Sequence, residues 1–140
     1  MASKSVQTKE LTGRAWSQLG MLVAQFLLGM GVNLIGDPNG GLARAAQRVL
    51  LGLHVLVSIG LVVGAFLTVR IAHELTSYSR LARIGGASIG IALLAGILNL
   101  AFKSDWWSFL MSIGFISAVV CYGLLYVKTW VASATGKPGV

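Results

Sequence analysis

R-V-L-L-G-L-H-V-L-V-S-I-G-L-V-V-G-A-F-L-T-V-R, residues 48–70, is an apolar run closed at both ends by arginine, with His54 as the one ionisable residue between them. Crossing the hydrocarbon of a bilayer takes about 20 consecutive apolar residues. The run therefore reads as a transmembrane helix rather than as the core helix of a water-soluble domain. The composition agrees: of 140 residues 56% are hydrophobic and 11% charged, with a mean hydropathy of +0.81. Soluble domains carry about 25% charged residues. This chain has too few to cover a surface in water.

Working outward, the run from Ala15 to Gly36 is also of span length and exceeds the apolar core of a secretory signal, about 7–15 residues. It reads as an uncleaved first helix. Asp37-Pro38-Asn39-Gly40-Gly41 follows as a turn, since proline sets φ while asparagine and glycine tolerate positive φ. The third and fourth spans are separated by a polar turn, Lys103-Ser104-Asp105. Helices are thus expected over 15–36, 48–70, 84–102 and 106–128, with 71–83 (IAHELTSYSRLAR) as a loop and with flexible ends at 1–13 and 131–140. The expected fold class is all-α: residues 1–140 form a single integral membrane domain, a four-transmembrane-helix bundle of up-down-up-down order.

Charge fixes the orientation. Lys4, Lys9, Arg14, Arg70, Arg80, Arg83, Lys128 and Lys137 fall on one side, against Arg44, Arg48 and Lys103 on the other. The positive-inside rule then places both termini and the 71–83 loop in the cytoplasm. Trp106 and Trp107 mark the outer boundary, and Trp16, Tyr126 and Trp130 the inner one. The net charge of +7 is accounted for by this topology and by attraction to anionic lipid, with no nucleic acid as partner. Cys121 is the single cysteine, so neither an intrachain disulfide nor a cysteine metal site can form within one chain. It reads as a small packing residue.

Polar residues fall in rows. Side chains three, four or seven apart share a helix face. That gives Gln18, Gln25, Gly29 and Asn33 on the first helix, and Gln47, His54, Ser58 and Ala65 on the second. Gly85, Ser88, Ala92, Gly96, Asn99 and Lys103 line the third, and Ser108, Ser112, Phe115 and Tyr122 the fourth. At about 1.5 Å per residue, Asn33, His54, Asn99 and Ser112 are expected at one depth in the outer half, with Gln25 below them. An intramembrane ionisable residue is a functional candidate by default. For His54 three roles stand side by side: a neutral hydrogen-bonding group bridging Gln25 or Asn99, a ligand to haem iron or another metal, and a station on a proton or solute path. Gly60 with Gly64, and Gly86 with Gly90, are G-x-x-x-G pairs that let helices approach closely, within the bundle or between protomers. Gly20, Leu27-Leu28-Gly29 and Asn33-Leu34 match Gly86, Leu93-Leu94-Ala95 and Asn99-Leu100 at a constant offset, as a duplicated helical hairpin would.

Q-F-L-L-G-M-G at 25–31, followed by a turn and R-V-L-L-G-L-H-V-L at 48–56, resembles the helical hairpins of haem A synthase and of similar small bacterial four-helix haem membrane proteins. The resemblance implies a bacterial cytoplasmic membrane, a haem, and His54 as its axial ligand with Gln25 and Arg48 nearby. The chain departs from that pattern in its fourth helix, WWSFLMSIGFISAVVCYGLLYV, which has no histidine. Two histidine ligands within one chain are therefore excluded, unless His73 serves a separate site nearly a full span away.

Catalytic signatures are missing: no helix-borne carboxylate pair, no H-E-x-x-H, no P-loop, no Ser/His/Asp set. Glu10, Asp37, Glu74 and Asp105 all lie at or beyond span ends, which argues against a proton-coupled exporter. The expected function is therefore non-enzymatic: an accessory or assembly subunit acting through helix–helix contacts with other membrane subunits or in a homo-oligomer. Two alternatives stay open. One is a redox-linked haem or quinone protein using His54; the other is an oligomeric channel or small transporter lined by Asn33, Asn99 and Ser112.

Overall fold

The computed structural model describes residues 4–36 and 40–136. It contains four helices: α1 Lys4–Ile35, α2 Gly41–Glu74, α3 Thr76–Phe102 and α4 Asp105–Thr135. All four are long and apolar enough to cross a membrane. They form an up-down bundle in which α1 packs on α2, α2 on α3, α3 on α4 and α4 on α1, while the diagonal pairs make no close backbone approach among the described residues. Apolar side chains cover the outside. Leu34, Leu42, Phe66 and Phe102 are exposed, as a helix bathed in acyl chains requires. The chain is a multi-pass membrane protein.

Every helix outruns its apolar segment, which moves five expected boundaries: the starts of α1, α2 (Gly41 rather than residue 48) and α3, and the ends of α2 and α4. The N-terminal segment 4–13 is helical because it packs: Leu11 is fully buried and Ala15 continues its row. Thr8 and Thr12 hydroxyls donate back to the carbonyls of Lys4 and Thr8. Glu10 pairs with Arg14 one turn on at 3.2 Å, and the Gln7 amide donates to the Glu74 carboxylate on α2. Likewise α4 runs through the expected flexible tail to Thr135, ending at Gly136 with φ of 65°. Residues 37–39 of the expected turn lie outside the described residues, as do 1–3 and 137–140.

The largest correction concerns 71–83. No loop exists there: α2 and α3 meet at a single residue, Leu75, with φ −111° and ψ 77°. The Leu75 N–H donates to the Ala72 carbonyl, and the Tyr78 N–H donates to that of Leu75. The charged residues of this stretch, His73, Glu74, Arg80 and Arg83, are exposed and leave an apolar face at helical spacing. Ala72, Leu75, Tyr78 and Ala82 recur every three or four residues and are all buried, so the segment is amphipathic helix on both sides of the joint. By contrast the 103–105 turn is as tight as expected. Lys103 adopts the left-handed conformation, φ 48° and ψ 46°, and its N–H caps α3 on the Asn99 carbonyl.

Packing is uneven along the bundle axis. Call the end holding Leu75 and the chain termini the base, and the other end the rim. Toward the base Leu11, Ala15, Gln18 and Leu22 of α1 are buried, as are Leu61, Ala65, Thr68 and Ala72 of α2. Tyr78 to Ile89 of α3 and Ala118 to Thr129 of α4 supply the facing buried residues. Toward the rim no residue is buried in 23–36 of α1, 40–57 of α2, 96–103 of α3 or 104–113 of α4. Even the inward faces there are only half-buried. The closest seam joins α3 to α4, where a Cβ on Gly114 would lie 2.8 Å from the Ser88 carbonyl oxygen. Ring contacts join α1 to α4: Trp16 with Tyr126 at 5.3 Å, and Phe26 with Phe115 at 5.9 Å between centroids.

Candidate functional site

The α1 row Leu11, Ala15, Gln18, Leu22, Gln25, Gly29 faces the α2 row His54, Ser58, Leu61, Ala65. Two glutamines seven residues apart therefore reach the same neighbour at two heights. Gln18 donates its amide to the Leu61 carbonyl at 3.3 Å. The bare backbone of Gly64 makes this contact fit, since a Cβ there would overlap the Gln18 amide nitrogen. One turn toward the rim, Gly60 receives the Met21 methyl group, which would lie 2.7 Å from an added Cβ. The Gly60–Gly64 face is thus used inside the bundle, against α1.

Nearer the rim stands a cluster built on His54, the one histidine of the apolar run 48–70. Gln25 Nε2 lies 2.9 Å from His54 Nε2 and 2.5 Å from Ser58 Oγ. The Ser58 hydroxyl donates to the His54 carbonyl one turn back at 2.8 Å. With the amide nitrogen facing both partners, His54 Nε2 accepts and its ring proton sits on Nδ1. Gly29 supplies the floor: a Cβ there would lie 3.1 Å from His54 Cε1 and 3.4 Å from Nδ1. His54 Nδ1 and Gln25 Oε1 are buried and have no hydrogen-bond partner among the described residues. Each such atom costs about 1–3 kcal/mol when buried unpaired. Bridging side chains between membrane helices contribute about 0.6 kcal/mol on average, less than one unpaired buried atom costs.

The expected single polar layer does not form. Asn33 is exposed, because the α1 row runs through 25, 29 and 32 and leaves 33 beyond its edge. Ser112 is exposed too, its hydroxyl donating back to the Ser108 carbonyl at 2.9 Å. The buried α4 row runs through Gly114, Ala118 and Cys121 instead, on the other side of the helix from 112. Asn99 is half-exposed. Arg48 is exposed and stands apart from the cluster; six residues from His54, it lies about 240° round the helix. Gly86 packs on Val69 and Ala65 of α2, whereas a Cβ on Gly90 would meet nothing within 4 Å. The α2–α3 seam therefore opens between these two turns.

A haem does not fit His54 as it is held here. An iron would have to bind in the ring plane at a nitrogen, yet the Gln25 amide covers Nε2 and the Gly29 backbone covers the Nδ1 edge. No group of three or more His, Cys, Asp or Glu residues is placed to hold a metal among the described residues. No family model, curated protein or solved structure matches the chain. The site must therefore be read from its own geometry. Ser58, already on the His54 row in the sequence, completes the histidine cluster, whereas Gly114, which the sequence reading did not single out, sets the closest helix approach. The small-residue spacing Gly114, Ala118, Cys121 was the signal for Gly114.

Proposed function

We propose that this chain is a non-enzymatic accessory or assembly subunit of a membrane complex, and that its partner contributes a transmembrane helix to the rim half of the bundle. The observation that carries this reading is the uneven packing. The base half closes on itself, while at the rim the end stretches 23–36, 40–57, 96–103 and 104–113 hold no buried residue. Helices in lipid gain nothing from burying apolar surface against one another, so they associate by close packing and by polar bridges. The rim offers both. Gly52 is an exposed small residue around which an added Cβ meets nothing within 4 Å, and Asn33 and Ser112 are exposed polar side chains. A single protomer is a poor channel, because Leu22, Leu61, Ile89, Tyr122 and Leu125 fill the base half.

Crosslinking in native membranes tests the proposal. On a Cys121→Ala background, cysteine at Ser112 or Asn99 is expected to give a discrete protein adduct with a bifunctional thiol reagent. Cysteine at Val127, exposed near the base, is expected to give none. Two differently tagged copies distinguish a second copy of this chain from another subunit. If neither rim position yields a protein adduct, the partner reading fails.

We further propose that the base faces the cytoplasm of a bacterial cell, following the bias of lysine and arginine toward that end. Cysteine at Gly40, where an added side chain meets nothing within 4 Å, is expected to label with an impermeant maleimide on intact cells. Cysteine at Thr76, exposed at the base, is expected to label only after the membrane is opened. The opposite pattern would invert the orientation.

A further inference from the structure

We propose that Arg80 and Arg83, with the apolar floor of Ile84 and Ala87 beneath them, bind the phosphate of an anionic phospholipid. The four residues line a shallow cavity of about 300 Å³ on the outward side of α3 near the base. Arginines three residues apart share a helix face, so both guanidinium groups address one ligand. A guanidinium fork matches phosphate oxygens in pairs, which an ammonium does not. Arg83 donates through Nε to the Ser79 carbonyl at 3.4 Å. Neither its terminal nitrogens nor Arg80 has a carboxylate partner among the described residues.

Charge selects this cavity over its neighbour. A second cavity of about 240 Å³ at the same end is lined by Glu10, Arg14, Leu67, Arg70, Ile71 and Glu74. There two carboxylates offset two guanidinium groups, and Glu10 already holds Arg14 at 3.2 Å. Around Arg80 and Arg83 no carboxylate among the described residues is paired with the positive charge. α3 has no acidic residue, and Glu74, the nearest in sequence, is engaged by Gln7 of α1. Depth agrees with a lipid. Trp16 and Trp130 are exposed at the same end, where tryptophan marks the headgroup level. Exposed Ile84 and Ala87 then lie one turn further into the hydrocarbon, where the first acyl carbons of a bound lipid would run.

Native mass spectrometry of the full chain, released from detergent micelles, tests the site. Phosphatidylglycerol and phosphatidylcholine of identical acyl chains are added in turn. The wild type is expected to retain one phosphatidylglycerol about tenfold more strongly than phosphatidylcholine, from two arginines at the membrane surface. The double variant Arg80→Gln/Arg83→Gln should lose that preference. Arg44→Gln/Arg48→Gln removes equal charge at the rim and should keep it. Arg80→Lys/Arg83→Lys, which preserves charge and serves if the glutamine variant misfolds, should keep only part. Equal retention of the two lipids by the wild type would overturn the proposal, as would a preference that survives Arg80→Gln/Arg83→Gln or falls equally in the rim variant. Displacement by millimolar inorganic phosphate would also overturn it, by showing a site for the free anion rather than for a lipid.

Discussion

Gly114→Ala is expected to destabilise the bundle more than any other glycine-to-alanine change among the described helical residues. The added Cβ would lie 2.8 Å from the Ser88 carbonyl oxygen, 3.1 Å from the Ala92 Cβ and 3.1 Å from the Ala92 nitrogen. Two of these obstacles are backbone atoms and the third is a Cβ fixed to it. None can rotate away, so α3 and α4 must separate along the closest seam in the molecule. Overpacking of this kind costs about 1–3 kcal/mol. The two other glycines whose added Cβ would come within 3.0 Å of a neighbour differ in kind. A Cβ on Gly64 meets the end of Gln18, and one on Gly60 meets the Met21 methyl group. Both obstacles are ends of flexible side chains and can swing aside at lower cost. Gly90, with nothing within 4 Å, is the control. Reversible unfolding in mixed micelles should rank the variants Gly114→Ala, then Gly64→Ala and Gly60→Ala, then Gly90→Ala near the wild type. A neutral Gly114→Ala would mean that the seam is looser than described.

Tyr122 carries the second large effect, and the two substitutions that probe it should diverge. Its side chain is fully buried, and its ring presses on α3: a Cβ on Gly85 would lie 3.1 Å from Tyr122 Cε2. Tyr122→Ala empties that space and is expected to cost about 3–5 kcal/mol, as removal of a large buried ring does. Tyr122→Phe keeps the ring and removes a hydroxyl that has no hydrogen-bond partner among the described residues. Taking away an unpartnered buried polar group is neutral or stabilising. The same unfolding assay should therefore place Tyr122→Phe at or above the wild type. A loss of more than about 1 kcal/mol on Tyr122→Phe would show that the hydroxyl has a partner in the membrane.

Much of this architecture is written in local chemistry. The span around His54 announces lipid as solvent because no soluble fold buries so long a run without charges. The pairing of Gln25 with His54 was legible as well, since both lie on rows of small and polar residues with three-, four- and seven-residue steps. What escaped was set by tertiary geometry. Asn33 and Ser112 have the polarity of the inner rows but sit just past their edges, and a drift of about 100° per residue decides which way they face. Segment 71–83 was obscured by its charges, although Ala72, Leu75, Tyr78 and Ala82 carry a helical period. Gly114 has no glycine four residues away to flag it. Its role appears only when Ala118 and Cys121 are seen as the continuation of its row opposite Ser88 and Ala92.

The one-residue elbow at Leu75 has a consequence for how much this gene can tolerate in length. A long connection would absorb an inserted codon as slack, but here the first residue past the elbow already begins α3. One extra amino acid would turn the whole of α3 by about 100° on its axis and slide it by about 1.5 Å. Gly85 would swing away from Tyr122, and the arginines at 80 and 83 would point somewhere new. The joint works as an indexing pin: it sets the rotational phase of the second hairpin against the first.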